Sequence, residues 1–222
     1  MKITSIEQFK GKTLKVSFES GEPIFINSDI AAEYHLQKDI DIPQGGIDDI
    51  VRANDTRRAK ERALYLLDNR DYSYAELFKK LAENYDRLIS TILIGNEVLK
   101  RLAEIGCIDD RRYARYLAEK LCTVKKYGYF KAREEMRLKG LSRDIIEEAL
   151  ADYSEDCSER VLELIDKKYA RYLTDDKGVK KVKAALARLG YSFADINAAI
   201  SEYTSGDSSE FYEFEDFDEG DF

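Results

Sequence analysis

The chain is predicted to be mainly α-helical: three tandem three-helix repeats forming an elongated curved array, preceded by a small N-terminal β-rich segment. Three observations predict this. First, Lys139-Gly140-Leu141-Ser142, followed by Ile146, Ala149 and Leu150, returns fifty residues later as Leu189-Gly190-Tyr191-Ser192, followed by Ile196, Ala199 and Ile200. Self-similarity at such a period marks units that bury their apolar faces against their neighbours. Second, 44% hydrophobic and 36% charged residues with only 2 prolines suit exposed helices carrying narrow apolar stripes. Third, period-two alternation is confined to residues 1–27, and helical periodicity takes over from about residue 47.

Along the chain, Leu14, Val16 and Phe18 alternate with Lys15, Ser17 and Glu19, the pattern of a half-buried strand. Ser20-Gly21-Glu22-Pro23 is turn chemistry, after which Ile24 and Ile26 resume the alternation. Ser28 is placed to cap a short helix through Tyr34 and Leu36, and Pro43-Gln44-Gly45-Gly46 should break the chain. Residues 1–53 are thus expected to form the β-hairpin and short-helix segment.

The first repeat is read as residues 54–106. Asn54-Asp55-Thr56 offers a capping cluster inside a long helix, and Ala59, Ala63, Leu66 and Leu67 form its stripe. Ser73 with Glu76 three residues on is a capping-box pairing, and Leu77 and Leu81 point inward from that helix. A third helix from about Ser90 to Glu104 buries Val98, Leu99 and Leu102 and stops at Gly106. The second repeat, 107–153, opens with Asp109-Asp110 at a helix N-terminus, where acids complement the dipole. Its helices carry Tyr113, Tyr116, Leu117 and Leu121, then a basic stretch after Gly128 through Met136, then Ile146, Ala149 and Leu150. The third repeat, 154–203, repeats this with Val161, Leu164 and Ile165, then Val182 and Leu186, then Ile196 and Ala199.

Residues 204–222 hold eight of the 44 acids, no base and five aromatic residues, and read as a disordered acidic aromatic tail. Without those eight, 36 acids face 36 bases, so the net charge of −8 belongs to the tail and the body is neutral. No run of ~18 apolar residues offers a membrane span, and the N-terminus has no secretory apolar region. Cys107, Cys122 and Cys157, with the single His35, assemble no zinc pattern and are expected as reduced thiols of a cytosolic protein.

Motifs for catalysis are few. Gly11-Lys12-Thr13 resembles the end of a phosphate-binding loop, but Ile6 stands where its first glycine belongs, so a hairpin turn is expected. One histidine leaves little room for a base-assisted nucleophile, and Asp109-Asp110 and Glu134-Glu135 suit capping and solvation. No catalytic residue, metal ligand or cofactor is expected.

The chemical signal is basic and aromatic. Residues 125–143 hold seven cations against Glu134 and Glu135, with Tyr127, Tyr129 and Phe130 interleaved. From this stretch Lys125, Lys126, Lys131, Arg133, Arg137 and Lys139 are candidate partner- or DNA-binding residues. Lys177, Lys180, Lys181 and Lys183 join them from the matching place in the third repeat. A basic face repeated along an array suits a polyanion or an acidic protein groove; a merely solvated helix face explains one such cluster alone better than two in register.

Ala63-Leu64-Tyr65-Leu66-Leu67, Arg70-Asp71-Tyr72-Ser73, Glu76-Leu77 with Lys80-Leu81, Leu99 to Gly106 leading into Ile108-Asp109-Asp110, Tyr113-Ala114, Tyr127-Gly128 and Lys139-Gly140-Leu141 occur in this order. In that order and spacing they resemble the RecX family of bacterial recombination regulators, over residues 57–152 closely and through the third repeat more loosely. The resemblance implies a non-catalytic helical triple repeat that lies in the groove of the RecA–DNA filament and restrains ATP hydrolysis and strand exchange in recombination and DNA repair. It implies the RecA recombinase filament as partner, no membrane, and a monomer in the cytoplasm. The acidic tail departs from the family pattern. The alternative is a helical repeat protein that binds single- or double-stranded DNA directly and competes for it. A third reading is a scaffold with no part in recombination.

Overall fold

The structure, a computed structural model, describes residues 1–83, 88–154 and 157–205. It is mainly helical with one small antiparallel sheet, as the periodicities predict. Three strands, β1 (Ile3–Lys10), β2 (Thr13–Phe18) and β3 (Ile24–Asn27), pair in the order β1-β2-β3. Gly11, at φ +55°, turns β1 into β2, so Gly11-Lys12-Thr13 is a hairpin turn. One face of the sheet buries Ile3, Val16, Phe18 and Ile26 against Ile30, Ala31, Ile42, Ile47 and Ile50.

Three segments differ from the local expectation. Helix α1 (Ser28–Glu33) is capped by Asn27, whose side chain accepts from Asp29 N at 2.8 Å; Ser28 is already helical, and the helix stops short of Leu36. Asn27 wins because it stands in the extended conformation a cap requires. Pro43 does not break the chain but begins α2 (Gln44–Asn69), with Gly45 and Gly46 in the first turn. Its carbonyl accepts from Gly46 N and Ile47 N, and its missing N–H is no loss where no intrahelical acceptor exists. Asn54 caps nothing. Helix α2 runs through it, and its buried side chain accepts from Asn27 N (2.9 Å) and donates to the Phe25 carbonyl (3.4 Å). Satisfying a strand edge from the core outweighs ending the helix there.

The remaining helices are α3 (Tyr74–Ala82), α4 (Leu88–Glu104), α5 (Asp110–Glu119), α6 (Tyr129–Leu138), α7 (Arg143–Ser154), α8 (Cys157–Leu164), α9 (Asp176–Arg188) and α10 (Phe193–Ser205). Helices α5 and α8 each run on into a π-helical turn, Lys120–Val124 and Ile165–Tyr169. The acidic tail lies outside the described residues except for Thr204 and Ser205, which are helical rather than disordered and close α10.

The chain forms two compact units: Met1–Tyr113 with Lys139–Leu141, and Ala114–Leu138 with the described residues from Ser142 on. The helical core of the first holds Ala59, Ala63, Leu66, Leu77, Leu81, Val98, Leu99 and Leu102, the inward residues expected. That of the second holds Val161, Leu164, Ile165, Val182, Leu186, Ile196 and Ala199. Each fully buried Leu or Ile contributes about 1.5–3 kcal/mol. Tyr116, placed on the inward side by periodicity, is instead 50% exposed.

Glycines let backbones touch inside each unit. In the first, Gly140 (φ +75°) meets Ala75, and Ser73 Oγ donates to the Lys139 carbonyl. In the second, Gly190 (φ +88°) lies against the backbone of Lys131, and Gly128 against the Gly190 carbonyl. Gly128 N donates to Leu189 O at 2.8 Å and Phe130 N to Gly190 O at 3.1 Å, which satisfies N–H groups at the start of α6. Gly178, fifty residues after Gly128, abuts the carbonyl of Tyr172, which precedes it in the chain.

Candidate partner-binding surface

The basic residues singled out by sequence fall into three groups. Lys125, Lys131 and Arg133, with Lys177, Lys180, Lys181 and Lys183, have no carboxylate within 4 Å among the described residues. All seven belong to the second compact unit. Lys177, Lys180 and Lys181 are exposed on α9, whose start is fixed by Asp175 accepting from Gly178 N at 2.7 Å. Lys131 sits with its ammonium 4.2 Å from the Tyr127 ring centroid and Lys125 at 5.5 Å, so that ring serves as a cation–π partner inside the strip.

Lys126 and Arg137 also belong to the second unit but are tied to acids. Lys126 Nζ donates to Glu163 at 2.8 Å, and Lys167 donates to the other oxygen at 2.8 Å. The two ammoniums hold the Glu163 carboxyl at about 2. Arg137 grips Glu134 with two bonds of 2.8 and 2.7 Å. The Arg137 pair is largely exposed and the Lys126 pair is half-buried, and exposed pairs of this kind are worth little in stability and are readily exchanged for another anion.

Lys139 has a different setting. It belongs to the first unit, where its ammonium donates to Glu76 at 2.9 Å. Glu76 also accepts from the Tyr113 hydroxyl at 3.0 Å and lies 3.5 Å from Arg70. The predicted capping box is therefore half formed: Ser73 Oγ accepts from Glu76 N at 3.0 Å, but the Glu76 carboxylate turns to Lys139 and Tyr113 instead of the Ser73 amide. An ammonium and a phenol hydroxyl together outcompete one amide for it. Asp110 likewise reaches back to accept from Tyr74 N at 2.8 Å.

Sequence reasoning missed Glu163, Lys167 and Arg160. Arg160 lies between Cys157 and the Tyr153 carbonyl, and only the fold brings Glu163 to Lys126. The three cysteines are free thiols, and burial pushes Cys122 up to about 11, away from reactivity at neutral pH. Among the described residues no group of His, Cys, Asp and Glu could hold a metal ion, and no helix is long and apolar enough to cross a membrane.

Residues 109–150 match the family model described as RecX, second three-helix domain, and residues 154–200 that of the third three-helix domain. A regulatory protein RecX of Chlorobium phaeobacteroides (strain BS1) is 34% identical over 149 residues, covering 67% of this chain and 95% of the relative. The chain belongs to the RecX family. A longer RecX of Streptococcus sanguinis (strain SK36) is 28% identical over 201 residues, 90% of this chain and 76% of its own length. Two solved RecX structures share the fold. A crystal structure of regulatory protein RecX has a TM-score of 0.65 over 90% of this chain and 99% of its own, at 24% identity. That of RecX from Lactobacillus salivarius has a TM-score of 0.62 over 69% and 99%, again at 24%. The two RecX domain matches together include all ten candidate cations.

Proposed function

We propose that this RecX-family chain is a non-catalytic regulator of RecA. In this reading it binds the RecA–DNA filament as a cytoplasmic monomer and lowers its ATPase and strand-exchange activity. Residues 54–106, 107–153 and 154–203 act as three repeats, and the second and third present the binding cations. The observation that carries the proposal is the recurrence of unpaired cations on α6 and α9 within one compact unit, in a chain whose relatives bear the name regulatory protein. Cations left without an internal acid stand ready for an external anion, either an acidic protein surface or phosphate.

Titrating the full chain into RecA turning over ATP on single-stranded DNA tests this. Turnover is expected to fall at or below stoichiometric chain, while the chain alone hydrolyses nothing. Reversing Arg133 and Arg137 to Glu, with Lys180 and Lys181, should weaken the effect while stability shifts by only about 0.5 kcal/mol per exposed site. RecA turnover and strand exchange unchanged at excess chain would end the proposal. The same unpaired cations also support direct DNA binding. In that case affinity for naked DNA falls steeply with salt in the absence of RecA.

A further inference from the structure

We propose that the open face of the N-terminal sheet is a separate binding surface for single-stranded nucleic acid, with Phe9 and Phe25 stacking on bases and Lys10, Lys12 and Lys15 contacting phosphates. This rests on the first compact unit alone and does not depend on the proposed role of α6 and α9.

The sheet buries one face on α1 and α2 and leaves the other open. On that open face Lys15 stands directly opposite Phe25 on one side and Glu7 on the other. Phe9 is 62% exposed and Phe25 45% exposed, yet they touch, with ring centroids 4.8 Å apart and planes tilted by 60°. Two large apolar rings side by side in water are a recognition feature, since a Phe with no role there is normally buried or absent.

The backbone holds both rings outward. The β1–β2 register jumps from Gln8↔Leu14 to Lys10↔Thr13, so Phe9 is the extra residue of a bulge, a device that re-aims a side chain. On the other edge, buried Asn54 holds both the Phe25 carbonyl and the Asn27 amide, which pins β3. The platform is therefore preorganised.

Charge selects the partner. Lys10, Lys12 and Lys15 have no carboxylate within 4 Å among the described residues, and Glu7, across from Lys15, forms no ion pair with it. A protein-docking face would extend the apolar patch, but Phe9 is bracketed in the chain by Gln8 and Lys10, and the residue paired across from Phe25 is Lys15, itself opposite Glu7. Flat apolar groups joined by a polyanion fit two rings rimmed by cations. Bases offer such faces only when unpaired, which makes the ligand single-stranded.

The chain contains no tryptophan. Phe9→Trp and Phe25→Trp therefore each install a unique emitter at the surface, and stacked bases quench indole emission. The experiment titrates these full-length variants with oligothymidylate, in a background with Lys177, Lys180 and Lys181 changed to Gln. Anisotropy of a labelled oligothymidylate reports affinity in parallel. The expected results are saturable quenching and a loss of affinity of roughly 5- to 150-fold for Phe9→Ala or Phe25→Ala. Lys15→Gln should make the salt dependence shallower by about 0.7 in log–log slope. Because both rings are exposed, the Ala variants should keep the wild-type circular dichroism spectrum, and Phe25→Tyr should keep affinity. The proposal is overturned by emission that does not change while the oligonucleotide binds, by Ala variants that bind as wild type, or by a chain that takes up no oligothymidylate at low salt. It is equally overturned if the Ala variants lose only binding to RecA protein, which would make this face a protein-docking surface.

Discussion

Glu76 is pulled two ways. Burial alone would raise its pKa, but the Lys139 ammonium, the Tyr113 hydroxyl and Arg70 together hold it below the ordinary carboxylate range. The folded state therefore gives up this proton more readily than the unfolded chain does. The resulting stability is fully present above the unfolded carboxylate pKa and drains away as pH falls below it, through the folded value. Glu76→Gln is expected to cost about 1.5–3 kcal/mol at neutral pH, the range for hydrogen bonds to a charged group. Its unfolding free energy should also fall less than wild type between about pH 5 and 3, as followed by urea denaturation across that window. Tyr113 is affected in the opposite region. Burial first, then the neighbouring Glu76 charge, pushes its phenol up to about 12. From sequence, Glu76 was legible only as a helix-start residue. Its main partner lies 63 residues further along the chain, beyond the reach of any local pattern.

At the scale of elements, the strands, most of the inward faces of the helices and the glycine stops from Gly106 on were legible, because each is a local period or a local turn requirement. What was not legible is why particular glycines are needed. Gly106 and Gly190 both end helices at positive φ, +76° and +88°. A Cβ on Gly106 would meet open space, whereas one on Gly190 would strike the backbone of Lys131. Gly106→Ala should cost only the left-handed backbone penalty of about 1–2 kcal/mol. Gly190→Ala adds a steric overlap of about 1–3 kcal/mol. The difference in urea unfolding free energy between the two variants measures the backbone seat directly, and equal losses would mean that the second unit relaxes around it. Asn54 teaches the same lesson. Its residue type suggests a cap, and its burial against β3 makes it a strut.

For the whole molecule the dominant number is charge. A body with 36 acids and 36 bases carries a tail with all eight excess acids, so the tail is the strongest anion available to the chain's own unpaired lysines. Truncation after Tyr203 is expected to raise affinity for DNA and for the RecA filament, most at low salt. The gain should fade by about 0.5 M salt, where exposed charges are screened within a few ångström. A loss of affinity on truncation would show that the phenylalanines of the tail grip a partner instead. A repeated cluster of cations was legible in the sequence. Which of those cations are already paired was not, because sequence cannot show that Glu163 and Glu134 are in contact with Lys126 and Arg137 while the lysines of α9 have no carboxylate within 4 Å among the described residues.

The glycine at position 178 carries a consequence for substitution. Gly128 is a socket, and it is plugged by Gly190 from later in the chain. At Gly178 the plug is the carbonyl of Tyr172, from a few residues earlier. A side chain at position 178 would have to displace that carbonyl, so the same glycine spacing serves a contact between distant segments at 128 and a turn closed on itself at 178.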